Sequence, residues 1–260
     1  MKMINKALFA ATAVMVLATP AMAAEVVVTP SSTSWRSEAG NAGTAQITST
    51  APRSGNGSLE LRGDRTRFFT GTMFPNAASA SLAAMRNVTA LTFDWRIAGD
   101  SVAALNPDYT PALRLSIFDS ATNMRRDLVW EGVYNGTYGN TQRDTWYSTT
   151  AASLFYLTGP GVTVNENAGR TIADWATFFG ANSFVGGISV GQGSSAGAGY
   201  HAFADNVTLS TVNGSTTYNF ETAAAGAVPE TATWGMMIAG FGMMGAAMRT
   251  RRRSTKVTFA

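Results

Sequence analysis

The side chains able to do chemistry are few, and their types narrow the field quickly. There is no cysteine, so a thiol nucleophile, a thiolate metal site and a disulfide framework are all excluded. There is one histidine, His201, so any Ser-His-Asp arrangement would have to use it and no multi-histidine metal site exists. His201 beside Tyr200, near a strand start, reads as a half-exposed structural residue. Glu60, Asp94, Asp127 and Glu131 fall on strand-like segments, so paired carboxylates for glycoside hydrolysis stay open as an alternative. Their separation in space would decide it. Asp205 and Asn206 offer oxygen ligands of the kind a structural Ca²⁺ takes, and Asp205 equally suits a strand-end turn. No other cofactor is indicated. Gly193-Ser194-Ser195-Ala196-Gly197 lacks the strand-to-helix setting of a nucleophile elbow, and no phosphate-binding loop ends in Lys-Ser/Thr.

Aromatic residues cluster in the middle third: Trp130, Tyr134, Tyr138, Trp146, Tyr147 and Tyr156. Flat aromatic faces with polar neighbours hold sugar rings. Trp130, Tyr134 and Trp146 are therefore the candidate glycan-binding residues, with Asn135, Arg143 or Asp144 to orient the sugar. The competing expectation is that most of these rings are core.

The elements that must position these groups read as β. Leu91, Phe93, Trp95 and Ile97 alternate with Thr92, Asp94 and Arg96, and Leu113, Leu115 and Ile117 repeat the pattern. Further strands are expected at Glu25–Val28, Thr44–Thr48, Ser58–Arg62, Thr66–Phe74, Asp127–Tyr134, Asp144–Ser148, Ser153–Leu157, Ser183–Val190, Tyr200–Ser210 and Thr216–Phe220. Thr33 to Gly43 reads as a loop. Asn135-Gly136 is a hairpin signal. Ser79–Arg86 and Thr171–Phe179 read as short helices, the second with Ile172, Trp175, Phe178 and Phe179 on one face. Roughly ten short strands separated by turns argue an all-β sandwich, of jelly-roll type, with one or two short helices.

The two ends differ from this middle. Lys2 and Lys6, an apolar run from Ala7 to Ala18, Pro20 and Ala21-Met22-Ala23 make residues 1–23 a secretory signal peptide cut before Ala24. Residues 24–222 are the expected sandwich domain, and 223–228 a small-residue linker. Near the other end, Trp234 to Met248 is free of charge, and Arg249, Arg251, Arg252, Arg253 and Lys256 follow. With Ala232 and Thr233 this helix would be roughly 25 Å long, near the lower limit for a membrane span, with the arginines held on the cytoplasmic side. These termini carry the chain's basicity. Residues 24–228 hold 12 basic and 15 acidic side chains, a net of −3, against +3 for the whole chain, so a nucleic-acid partner has no electrostatic footprint.

Residues 229–256 resemble the PEP-CTERM sorting signal in its PEPxxWA-type form. The resemblance is carried by Pro229, Glu230, Trp234, Met236-Met237-Ile238, Gly240-Phe241-Gly242, Gly245 and the arginines Arg251, Arg252 and Arg253. Thr231 stands where the motif has its second proline, and Gly235 where it has alanine. The resemblance implies an exported protein held briefly in the inner membrane, cut near Pro229-Glu230 by an exosortase, then placed at the cell surface or in the extracellular matrix. The implied partners are signal peptidase, the secretion machinery and the exosortase. Tyr200 to Leu209, Tyr218-Asn219-Phe220-Glu221 and Ser54 to Leu59 are similar to strands of galactose-binding-like jelly rolls. That similarity implies a glycan-binding sandwich, sometimes with Ca²⁺. The expected function is a non-enzymatic structural or binding module associated with extracellular polysaccharide. A secreted carbohydrate-active enzyme and a stably membrane-anchored protein are the alternatives.

Overall fold

The structure, a computed structural model, describes residues 23–38, 42–223 and 231–251. The chain divides into two compact units, one ending at Thr222 and one running from Ala223 to Ala260.

The first unit is a β-sandwich of two sheets. One sheet contains β1 (Ala23–Val28), β3 (Thr44–Thr48), β4 (Ser58–Arg62), β7 (Val88–Ile97), β10 (Tyr147–Ser148), β13 (His201–Thr211) and β14 (Gly214–Phe220). The other contains β2 (Trp35–Ser37), β5 (Arg67–Gly71), β6 (Ala83–Ala84), β8 (Ala112–Asp119), β9 (Met124–Trp130), β11 (Tyr156–Thr158) and β12 (Phe184–Gly191). Neighbours in the first sheet run β4-β13-β7-β10, and in the second β5-β12-β8-β9. Pairing is antiparallel except for β1, which lies parallel to β14.

Alternation builds the core. On β7 Leu91, Phe93, Trp95 and Ile97 are buried, and on β8 Leu113, Leu115 and Ile117 are fully enclosed. Rings from the two sheets meet edge-on across the core: Phe93 meets Trp130 at 5.2 Å, and Trp35 meets Phe220 at 5.1 Å. Burying one such ring contributes roughly 4–6 kcal/mol at most, from its area at about 25 cal/mol/Å². Helix α1 (Ile172–Phe178) is capped by the Thr171 hydroxyl, which accepts the Asp174 N–H. It buries Ile172, Trp175 and Ala176, and the Trp175 indole donates to the Phe155 carbonyl at 2.7 Å.

Both central strands change partner halfway along one edge. β12 pairs with β5 over Gly187–Gly191, then with Ala83 and Ala84 at Phe184 and Val185. β13 pairs with β4 over His201–Ala204, then with β14 from Val207. A bulge marks each change, between Val185 and Gly187 and between Asp205 and Thr208. Gly71 turns away at the first with φ +71°, and a Cβ there would sit 2.2 Å from the Gly186 carbonyl oxygen.

Several local expectations are corrected by these long-range pairings. Ser79–Arg86 is not a helix: Ala83 and Ala84 fill the vacated edge of β12, and Met85–Asn87 form a 3-10 turn. Trp35–Ser37, expected as loop, pairs with β5. Asn135-Gly136 closes a 3-10 turn at Gly132–Asn135, with left-handed Gly136 as its cap, and makes no hairpin. The strand expected over Asp144–Ser148 shrinks to Tyr147–Ser148, because Asp144 itself takes a positive φ.

In the second unit, helix α2 (Thr231–Arg251) forms over the charge-free stretch. Its apolar residues are spread all round, without one apolar face. Among the described residues no helix is long and apolar enough to cross a membrane, which corrects the expected span. Gly235, Gly240, Gly242 and Gly245, with alanines between, dilute the hydropathy that its methionines supply. Trp234, Gly240, Phe241, Gly242 and Arg251 lie on this helix. Pro229, Glu230, Arg252, Arg253 and the linker from residue 224 lie outside the described residues, as does Ala21. Ala23 and Ala24 open strand β1, so the expected mature start coincides with the first strand.

Candidate functional site

A cleft of about 330 Å³ opens where the β10 end of the first sheet meets β9. Trp95 and Trp130 supply it from the two sheets, and Tyr147 from β10. Tyr147 stacks on Trp95 at 4.8 Å with their planes 21° apart, and Trp95 lies 6.0 Å from Trp130. The other wall is the polar run Ser148, Thr149, Thr150, Ala152 and Ser153, with Asn135 and Thr137.

Most polar atoms of that wall hold the wall in place. Asn135 donates to the carbonyls of Glu131 and Leu154, both at 3.0 Å, and accepts the Leu154 N–H at 2.8 Å. Thr149 accepts the Phe93 N–H, tying the run to β7. Ser148 donates to Asp94 at 2.5 Å, and the Tyr147 hydroxyl accepts the Gln142 N–H at 2.7 Å. Two lining groups are different. The Trp130 indole N–H and the Thr137 hydroxyl are buried, and neither has a hydrogen-bond partner. A buried donor without an acceptor costs free energy that an incoming acceptor would recover. No charged side chain lines the cleft. The half-buried Tyr147 ring, backed by buried Trp95 and Trp130, and a neutral polar wall suit an uncharged, hydroxyl-rich ring.

The expected binding residues scatter. Trp130 is buried and lines the cleft. Tyr134 instead sits edge-on to Tyr156 at 5.6 Å. Trp146 packs on Ala51, Ala98 and Phe203, over the outer face of the first sheet. Trp95 and Tyr147 do line the cleft, although in the sequence Trp95 is a core-strand position and Tyr147 one of six clustered aromatics. Strand register decides between the neighbours Trp146 and Tyr147, because successive side chains face opposite ways.

The carboxylates are individually occupied, and none lines the cleft. Glu60 accepts from Thr48 at 2.6 Å, Thr50 at 2.9 Å, Arg62 at 2.6 Å and His201 at 3.1 Å. Burial works to raise its pKa, and the bonds from Thr48, Arg62 and Thr50 outweigh burial and hold it below the usual range. Asp94 holds Arg53 at 2.9 Å and Asn206 at 2.9 Å. Asp127 accepts from Ser116 at 2.7 Å. Burial raises the pKa of Glu131, against the opposing charge of Arg114. His201 is buried, not half-exposed, with Nδ1 2.5 Å from Asp100 and Nε2 on Glu60.

Asp205 is fully buried and does not have the open oxygens a Ca²⁺ needs. Its carboxylate accepts three backbone N–H groups, from Phe220 at 2.9 Å, Asn206 at 2.8 Å and Ser54 at 3.3 Å. The Asn206 amide donates to Ser54 and Asp94. Among the described residues no group of acidic or histidine side chains could hold a metal ion. The Ca²⁺ expectation is corrected: these oxygens satisfy backbone donors at the β13 bulge.

A second cavity, about 400 Å³, surrounds Trp35 between Ser37 and Ala45, which flank residues 39–41 outside the described chain.

No protein-family model matches the sequence, and no curated protein matches it. Among solved structures, one described as "Structural basis for the promiscuous specificity of the carbohydrate-binding modules from the beta-sandwich super family" aligns with 68% of this chain at 11% identity and a TM-score of 0.32. The chain spans 57% of that structure's length.

Proposed function

We propose that the first unit is a non-enzymatic glycan-binding module of jelly-roll topology on an exported surface or matrix protein. The strand orders β4-β13-β7-β10 and β5-β12-β8-β9 support the topology, since successive strands pass from sheet to sheet as two Greek keys do. The cleft supports the binding role, and one observation carries it. Trp130 lines the neutral cavity beside the Trp95–Tyr147 stack, and its buried indole N–H has no hydrogen-bond partner. The carboxylates Glu60, Asp94, Asp127 and Glu131 stand outside this cleft, so hydrolysis is the weaker reading. The sorting role of residues 229–256 rests on sequence resemblance, and helix α2 with its basic flank is compatible with it.

Titration of the purified protein with neutral oligosaccharides, followed by tryptophan fluorescence, tests the module. Saturable quenching that disappears in Trp95→Ala is expected. Release of reducing sugar, or no saturable response to any glycan, would sink the reading.

A further inference from the structure

The outer face of the second sheet holds a different kind of site. Strand register places Gly191, Ser189 and Gly187 of β12 in a line on this face, between β5 and β8. Arg67 stands beside Gly191, and Arg114 beside Ser189, on opposite sides of this small-residue floor. Arg36 lies beyond, its guanidinium 4.3 Å over the Phe69 ring and donating to the Gly71 carbonyl at 3.0 Å. Arg125 completes the set and pairs with Asp127 at 3.3 Å.

The other three arginines have no such partner. Among the described residues no carboxylate forms an ion pair with Arg36, Arg67 or Arg114. The Arg67 Nε and the Arg114 Nη1 are buried and unbonded. Arg67 makes one weak contact, from Nη1 to the Met73 sulfur at 3.7 Å. Burial, with the like charge of Arg114, lowers the pKa of Arg67 to about 10. The facing acids are Glu38, Asp127 and Glu131, and burial holds the last towards its neutral form.

Two neighbouring, underbonded guanidinium groups are costly to hold together and are relieved by a shared anion. A planar fork matches a carboxylate bidentately. All 12 basic residues from 24 to 228 are arginine, and the net charge of that span is −3, so this patch runs against its surroundings.

We propose that Arg67 and Arg114, flanking the Gly187–Ser189–Gly191 floor, bind a carboxylate-bearing polysaccharide. The proposal rests on the glycan-binding reading and adds an acidic substrate class at a second face of the same module.

The test is titration of the full chain with polygalacturonate, dextran sulfate and a neutral glucan at several salt concentrations. The chain is compared with Arg67→Gln, Arg114→Gln and the Lys forms of both. Polygalacturonate is expected to bind, to weaken as salt rises, and to lose about tenfold in affinity in each Gln form, one charge-assisted bond being lost. Melting temperature should hold or rise in the Gln forms, because each deleted group lacked a carboxylate partner. If a Gln form fails to fold, the Lys form decides, with a several-fold loss expected from a charge without the fork. Unchanged affinity in the folded variants, no binding by the wild-type chain, or equal arginine-dependent binding of dextran sulfate would overturn the carboxylate site. Neutral glucan reports on the Trp95 cleft separately. Its binding without polygalacturonate binding ends this proposal alone, and arginine-dependent polygalacturonate binding without it supports this site while ending the cleft reading.

Discussion

Asp205 accepts the backbone N–H of Phe220 at 2.9 Å, where the edge of β13 passes from β4 to β14. The same carboxylate takes the N–H groups of Asn206 and Ser54, so one side chain caps the donors that the change of partner exposes. Asn206 supplies the bulge with φ +50°. Replacing Asp205 by Ala leaves these buried donors unpaired. At roughly 1–3 kcal/mol for each orphaned group, a loss of several kcal/mol is expected. Denaturant unfolding of Asp205→Ala checks this, and a loss under about 1 kcal/mol would contradict the capping role.

The same carboxyl predicts a pH dependence. Burial raises its pKa from 3.8 to about 7, against the three backbone bonds that lower it. The folded state therefore holds a proton that the unfolded chain releases. This group's stabilising contribution is full below pH 3.8 and lost as pH rises through about 7. Stability should fall between pH 4 and pH 7 by on the order of 1 kcal/mol per pH unit. The slope should be absent in Asp205→Asn, read by melting temperature across pH.

Trp130 separates binding from folding. Its indole N–H bonds to nothing, so Trp130→Phe loses ring volume and no hydrogen bond. The expected cost is about 1–2 kcal/mol in stability. A loss of neutral-glycan affinity of roughly tenfold should accompany it. Calorimetric titration beside thermal unfolding reads both, and full affinity in the folded variant would place the sugar elsewhere.

Gly71 should tolerate no side chain. Its φ of +71° and the 2.2 Å approach of a Cβ to the Gly186 carbonyl oxygen make Gly71→Ala strained at the β12 partner change. A destabilisation of about 2 kcal/mol or more is expected from chemical denaturation. A Gly136→Ala control, with open space around its Cβ, should cost less despite its similar φ.

Sorting makes its own prediction. Replacing Pro229 and Glu230 by Ala should cause an uncut form to accumulate with the cell fraction, seen as intact mass. An identical mature mass in wild type and variant would remove the sorting reading.

Local periodicity carried much of this protein. Leu91 to Ile97 and Leu113 to Ile117 alternate in the sequence, and they form β7 and β8. Ile172, Trp175, Phe178 and Phe179 at spacings of three and four marked α1, because a helical face repeats within a few residues. The charge-free run from Trp234 to Met248 likewise falls inside α2.

What distance along the chain joins, the sequence alone left open. Ala83-Ala84 has helix propensity, yet it completes an edge vacated by residues near position 71 and offered by a strand a hundred residues later. Asp205 is indistinguishable from a ligand until Ser54 and Phe220 arrive to fill it. Trp146 and Tyr147 are adjacent aromatics, and only the register of β10 on β7 turns Tyr147 onto Trp95 and Trp146 away. The arginine pair exists only because β12 lies between β5 and β8. Side-chain facing follows from residue types within a strand, whereas neighbours across strands follow from closure of loops tens of residues long, which no local pattern encodes.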